Sequence, residues 1–108
     1  TTLFRSFMEV KGVTLDMDGT AMFPDAPTER GIRHLEGLAQ AVKDGYGAAA
    51  LFVIQMKGVH AFSPHRERHP EFAAALKQAK ENGVHIWAYD CAVTDRSMKL
   101  DAPVPVIL

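Results

Sequence analysis

The sequence predicts an α/β domain, a mixed β-sheet flanked by helices with elements in the order hairpin, helix, strand, helix, strand. Two stretches with helical apolar spacing, 28–44 and 70–83, alternate with stretches rich in β-branched and aromatic residues, 48–56 and 84–94. That alternation is the signature of an α/β layer. An Asp-Gly pair at 18–19 lies between two further apolar segments and predicts a hairpin, because a type I′ turn needs φ > 0 at both central residues.

The first strand covers residues 3–15, with Phe7, Met8, Val10, Val13 and Leu15 as its apolar positions. Asp16-Met17-Asp18-Gly19 turns the chain, TAMF (20–23) returns, and PDAP (24–27) breaks the strand. Ile32, Leu35, Leu38, Ala39 and Val42 then form a single helical stripe. Asp25 and Thr28 are the candidate N-caps, Pro27 suits the first turn, and Gly45 ends the helix. AAALFVIQM (48–56) is continuously apolar, as in a strand buried on both faces. Residues 57–69 read as a loop. Pro70 starts the second helix, with Phe72, Leu76 and Ala79 as its stripe, and Gly83 stops it. VHIWAYDCAVT (84–94) is the next strand, Asp95-Arg96-Ser97 turns, and the final MKLDAPVPVIL adds an edge strand limited by its prolines.

With 108 residues and 47% hydrophobic content, the chain suits one domain with a modest core. The formal net charge of −1 gives no global basic field, so any nucleic-acid contact must come from local clustering. A single cysteine, Cys91, excludes an intrachain disulfide and points to a reducing, cytoplasmic setting. Its strand context marks it as a buried, inert thiol. No apolar run is long enough to span a bilayer, and no signal peptide is apparent, so no membrane is expected as a partner. The chain opens TTLFRSF without an initiator methionine, as a fragment of a longer protein would.

Glu9 and Lys11 stand two positions apart in the first strand, so they share a face, about 6.6 Å apart along it. A carboxylate can hold Mg²⁺, and a neighbouring lysine can orient a water or stabilise phosphate charge. On spacing alone, solvated surface charges are the commoner reading of E-x-K. The 57–69 loop is the most basic stretch, with Lys57, Arg66 and Arg68 against Glu67, and suits either a phosphate backbone or solvent. His65 and His69 have helical spacing, but Pro64 and Pro70 flank them, and a zinc site lacks its remaining ligands. Trp87 and Tyr89 share a strand face with His85, and two aromatics at period two are read as core rather than as a platform for single-stranded bases.

EVKGVTL, FPDAPTERGIRHL, FSPHRERHPEF and GVHIWAYDCAV together resemble the sugar fermentation stimulation protein A (SfsA) family along essentially the whole chain. The resemblance implies a bacterial or archaeal DNA-binding protein tied to regulation of sugar metabolism, roughly twice this length, as is ordinary for two domains. It implies an N-terminal OB-like domain and a C-terminal domain similar to PD-(D/E)xK nucleases, a restriction-endonuclease-like fold. Residues 1–108 resemble the C-terminal domain only, without the first elements of its core. In that pattern Glu9 and Lys11 match the (D/E)xK pair, with Glu9 as a Mg²⁺ ligand, Lys11 positioning the attacking water and Gln55 supporting it. The aspartate that completes the metal site belongs to the preceding strand, and no acid lies upstream of Glu9, so the site is incomplete in this chain. Arg30, His34, Lys57, Arg66 and Arg68 are the expected DNA contacts. Three functions stay open: a Mg²⁺-dependent deoxyribonuclease site, a non-catalytic DNA-binding regulator, and a metabolite sensor. Without its upstream strand the sheet is expected to expose an edge, a route to self-association.

Overall fold

The computed structural model describes residues 5–94 and 97–108. Nine elements follow in the order β1 (Ser6–Val13), β2 (Leu15–Met17), β3 (Thr20–Phe23), α1 (Glu29–Lys43), β4 (Gly47–Ile54), β5 (Ala61–Pro64), α2 (Pro70–Glu81), β6 (His85–Val93) and β7 (Met98–Pro103). The α/β class with two helices on a mixed sheet is as the sequence predicts. The first two positions of the expected Asp95–Ser97 turn lie outside the described residues.

The described residues build two sheets. The larger has the order β1-β4-β6-β7, with β1, β4 and β6 parallel and β7 antiparallel to β6. The smaller has the order β2-β3-β5. The apolar run expected as one strand over 3–15 therefore divides at Thr14: Ser6–Val13 joins the large sheet, and Leu15–Met17 pairs with β3. The hairpin turns where Asp18-Gly19 places it. Asp18 and Gly19 both have positive φ, 54° and 91°, and the Gly19 amide donates to Asp16 Oδ1 at 2.8 Å. The 57–69 loop contains a strand that sequence reading did not find. β5 is only four residues long and ends in proline, yet all four are buried, because it pairs in parallel with β3.

Both helices follow their apolar stripes. Leu35 and Leu38 of α1 and Phe72, Leu76 and Ala79 of α2 are buried. Of the two candidate caps for α1, Thr28 serves: its Oγ1 accepts the Gly31 amide at 3.0 Å. Its own backbone amide donates to Nδ1 of the buried His69, the N-cap residue of α2, at 3.2 Å. The two helix starts are thereby tied together. Phe52 stacks on Phe62 with ring centroids 4.4 Å apart, and Phe23 meets Phe72 at 5.3 Å. These rings join the small sheet to the helix-covered face of the large one.

One core assignment is overturned. Trp87 is 42% exposed, although its spacing suggested a buried aromatic. The alternation is real, but the face to which it delivers Trp87 has no helix over it among the described residues. Cys91 is buried as expected, and that burial pushes its thiol pKa up, which suits an inert group.

Candidate functional site

Strand alternation turns Glu9 and Lys11 toward α1, on the face they share with Phe7 and Val13. Val13 reaches the core and is buried. Glu9 and Lys11 do not, because β1 is the terminal strand of its sheet and their side chains come out at its margin, 35% and 18% exposed. Two charges are therefore tolerated in the middle of an apolar strand.

Helix α1 supplies the rest of the cluster. Arg30 and His34 are four residues apart and lie on one side of the helix. Leu35 and Leu38 anchor α1 in the core, which sets His34 at the helix margin above β1. Lys11 Nζ lies 2.7 Å from His34 Nδ1 and 3.3 Å from Glu9 Oε1. Glu9 Oε1 is 3.1 Å from the same His34 nitrogen. Arg30 Nε approaches His34 Nε2 at 3.5 Å. Nδ1 serves one of its two partners at a time: it accepts from the Lys11 ammonium when the ring proton is on Nε2, or carries the proton to Glu9 Oε1 and leaves Nε2 to accept from Arg30. A groove of about 500 Å³ opens beside the cluster, lined by Phe7, Glu9, His34, Gly37, Leu38 and Tyr46 among others. Phe7 and Tyr46 meet edge to face at 5.4 Å along it.

The other expected site residues lie apart from this cluster. Gln55 follows β4, and its Nε2 lies 2.7 Å from the point a Cβ on Gly12 would occupy. Gly12 alternates onto the sheet face opposite Glu9 and Lys11, so Gln55 is not brought to them. Lys57 forms ion pairs with Asp90, at 3.0 Å, and with Asp101. Those carboxylates, Asp101 first, raise its pKa. Asp90 also accepts the Ala102 amide at 2.9 Å, and this bond and Lys57 together hold its pKa below the ordinary value. Lys57 thus ties β7 to the end of β6. Arg66 donates to Ser63 Oγ at 3.3 Å, and Arg66 and Arg68 are exposed. The sequence singled out His34 as a phosphate contact; its place against Lys11 is a tertiary pairing that no local pattern encodes.

The profile of the sugar fermentation stimulation protein RE domain matches residues 2–97. The chain belongs to the sugar fermentation stimulation protein (SfsA) family. It is similar to a sugar fermentation stimulation protein homolog of Clostridium beijerinckii, 55% identical over 104 residues, covering 96% of this chain and 46% of that protein. A homolog from Desulfitobacterium hafniense strain Y51 is also 55% identical, over 95 residues, covering 88% and 42%. Among solved structures, SfsA of Pyrococcus furiosus in complex with Ca²⁺ superposes with a TM-score of 0.86 at 30% identity, covering 94% of this chain and 44% of that one. The chain spans about half the length of the SfsA relatives it matches.

Against a divalent ion, this chain's residues are an incomplete fit. No group of three His, Cys, Asp or Glu side chains converges among the described residues. Glu9 is the one carboxylate of its cluster, and Lys11 and His34 already engage it. No helix among the described residues is long and apolar enough to cross a membrane.

Proposed function

We propose that this SfsA chain is the nuclease-like half of a DNA-binding protein that acts in the regulation of sugar metabolism, with the Glu9–Lys11 pair at the phosphate-handling site. The observation that carries the reading is the convergence of Glu9, Lys11 and His34 at the exposed margin of β1. At this exposure an ion pair is worth at most about 1 kcal/mol, so stability is a weak reason for the arrangement. A cation beside a carboxylate supplies two of the parts that metal-assisted phosphodiester hydrolysis needs, at least one more carboxylate being another. Arg30, in the first turn of α1, places a guanidinium where helix N–H groups already favour anions. With Lys57 committed to Asp90 and Asp101, loop contacts to a DNA backbone fall to Arg66 and Arg68.

A Mg²⁺-dependent site in this reading takes one carboxylate, Glu9, from the chain and its remaining carboxylates from elsewhere in a full-length protein. The Ca²⁺ complex of the Pyrococcus furiosus relative supports a divalent ion in the family. The second reading, a DNA-binding regulator without cleavage, is favoured by the engagement of Glu9 with Lys11 and His34. Both readings place the protein in the cytoplasm, with its DNA.

Equilibrium DNA binding by a protein of the relatives' full length, titrated over rising salt with Mg²⁺, Ca²⁺ or EDTA, tests the proposal. Affinity should fall steeply with salt, and Arg66→Ala and Arg68→Ala should each lower the log–log slope by about one. Salt-independent binding, or none, would return the protein to the metabolite-sensor reading.

A further inference from the structure

The small sheet turns one face to the core through the paired residues Ala21 and Phe62, neither with exposed surface. Its other face carries Met17 from β2, Met22 from β3 and Ser63 from β5, with Met22 and Ser63 directly paired. Before α2 the chain makes one helical turn. The Arg68 and His69 amides donate to the His65 carbonyl at 3.2 and 3.0 Å, and the His65 amide donates to the Phe23 carbonyl at 2.9 Å. That turn sets His65, Arg66 and Glu67 beside the two methionines and Ser63, around a hollow of about 210 Å³. A second hollow, of about 330 Å³, shares His65 and Glu67 with the first and adds Pro27 and Arg68. Arg66, Glu67 and Arg68 are exposed, and none enters an ion pair among the described residues. His65 Nδ1 is buried without a hydrogen-bond partner among the described residues, whereas buried polar atoms are as a rule paired.

We propose that the hollow between Met17, Met22 and Glu67 binds a guanine ring, carried by a DNA strand or by a free nucleotide. Its volume, below the roughly 300 Å³ at which drug-sized sites begin, suits one ring system. The thioethers of Met17 and Met22 pack favourably on an aromatic ring. Guanine presents two adjacent N–H donors on its Watson–Crick edge, N1 and N2, and the free Glu67 carboxylate accepts both. Adenine and cytosine set a ring acceptor beside their amino donor on that edge, and a carboxylate repels it. Thymine offers one N–H between two carbonyls. Ser63 Oγ holds one nitrogen of Arg66, at 3.3 Å. The remaining N–H groups of Arg66, with Arg68 in the second hollow, are left for the phosphate that the base carries. The strand as source rests on the DNA reading, and the free nucleotide does not. Neither depends on cleavage at Glu9 and Lys11.

A full-length SfsA protein carrying this chain is titrated with GMP and AMP by calorimetry. It is also titrated with a short fluorescent oligothymidylate whose central base is guanine, hypoxanthine or adenine. Guanine should bind roughly tenfold tighter than adenine, the scale of one two-point base contact, and hypoxanthine, which lacks the N2 amine, should fall between them. Glu67→Gln keeps the size of an exposed side chain and removes its carboxylate. The variant should lose the preference, yet bind the adenine strand as well or better, because a negative charge near phosphate is gone. Preference among the strands assigns the site to DNA, and preference among the mononucleotides alone assigns it to a free nucleotide; either supports the guanine site. A failure of the DNA reading shows as no strand binding at all, and the GMP titration still reads the hollow. Equal binding of guanine and adenine in both forms, no binding of either, or a preference that survives Glu67→Gln would overturn the proposal.

Discussion

Lys11 Nζ sits 2.7 Å from His34 Nδ1, joining β1 to α1 across 23 residues of sequence. The contact gives His34 a role apart from the proposed phosphate contact: it fixes where the Lys11 ammonium points. If His34 acts through Lys11, their substitutions should not add. In a full-length protein, His34→Ala should lower the Lys11-dependent DNA activity about tenfold and have little further effect on a Lys11→Ala background. A double-mutant cycle checks this, and additive losses would mean that His34 meets DNA independently.

Asp90 anchors β7 through the Ala102 amide and Lys57. Both hold its pKa below the ordinary 3.8, the amide more strongly. A carboxylate depressed in the folded state contributes stability that is complete above its unfolded value and is lost as pH falls through its folded value. Asp90→Asn should therefore melt below the wild type at neutral pH. The two melting curves should converge as pH falls below 3.8. A gap that stays constant into acid would remove the ionised carboxylate from the account.

Phe52 has no exposed surface and lies between Phe23 and Phe62. It joins the two sheets, so Phe52→Ala should cost about 3–5 kcal/mol in a denaturant titration. A loss under about 1 kcal/mol would show that the cavity collapses and that the sheets are held by other contacts.

The outer edge of β1 has no strand partner among the described residues, and Phe7, Met8 and Val10 beside it are exposed. The 108-residue chain by itself should self-associate as its concentration rises. Size exclusion with light scattering reads this, and a clean monomer at high concentration would count against an adhesive edge.

The helices were legible because α1 and α2 each carry one apolar stripe, and Thr28, Pro70 and the glycines at 45 and 83 punctuate them. The Asp18–Gly19 turn was legible from its backbone requirement. β5 was not, since four residues ending in proline acquire strand geometry only by pairing with β3. Trp87 misled for a different reason. Period-two spacing shows which residues share a face, and it is silent on whether anything covers that face. Glu9 and Lys11 were visible as a pair, but His34 against Lys11 and Lys57 against Asp90 are contacts made by the fold, 23 and 33 residues apart.

The most direct test of the central claim is cleavage of supercoiled, linear and branched DNA by a full-length protein in Mg²⁺, Mn²⁺ or EDTA, beside Glu9→Ala and Lys11→Ala. The nuclease reading predicts metal-dependent cleavage that both substitutions abolish. DNA binding without cleavage in any metal, unchanged by either substitution, would contradict a phosphate-handling role for the pair and leave the protein as a regulator.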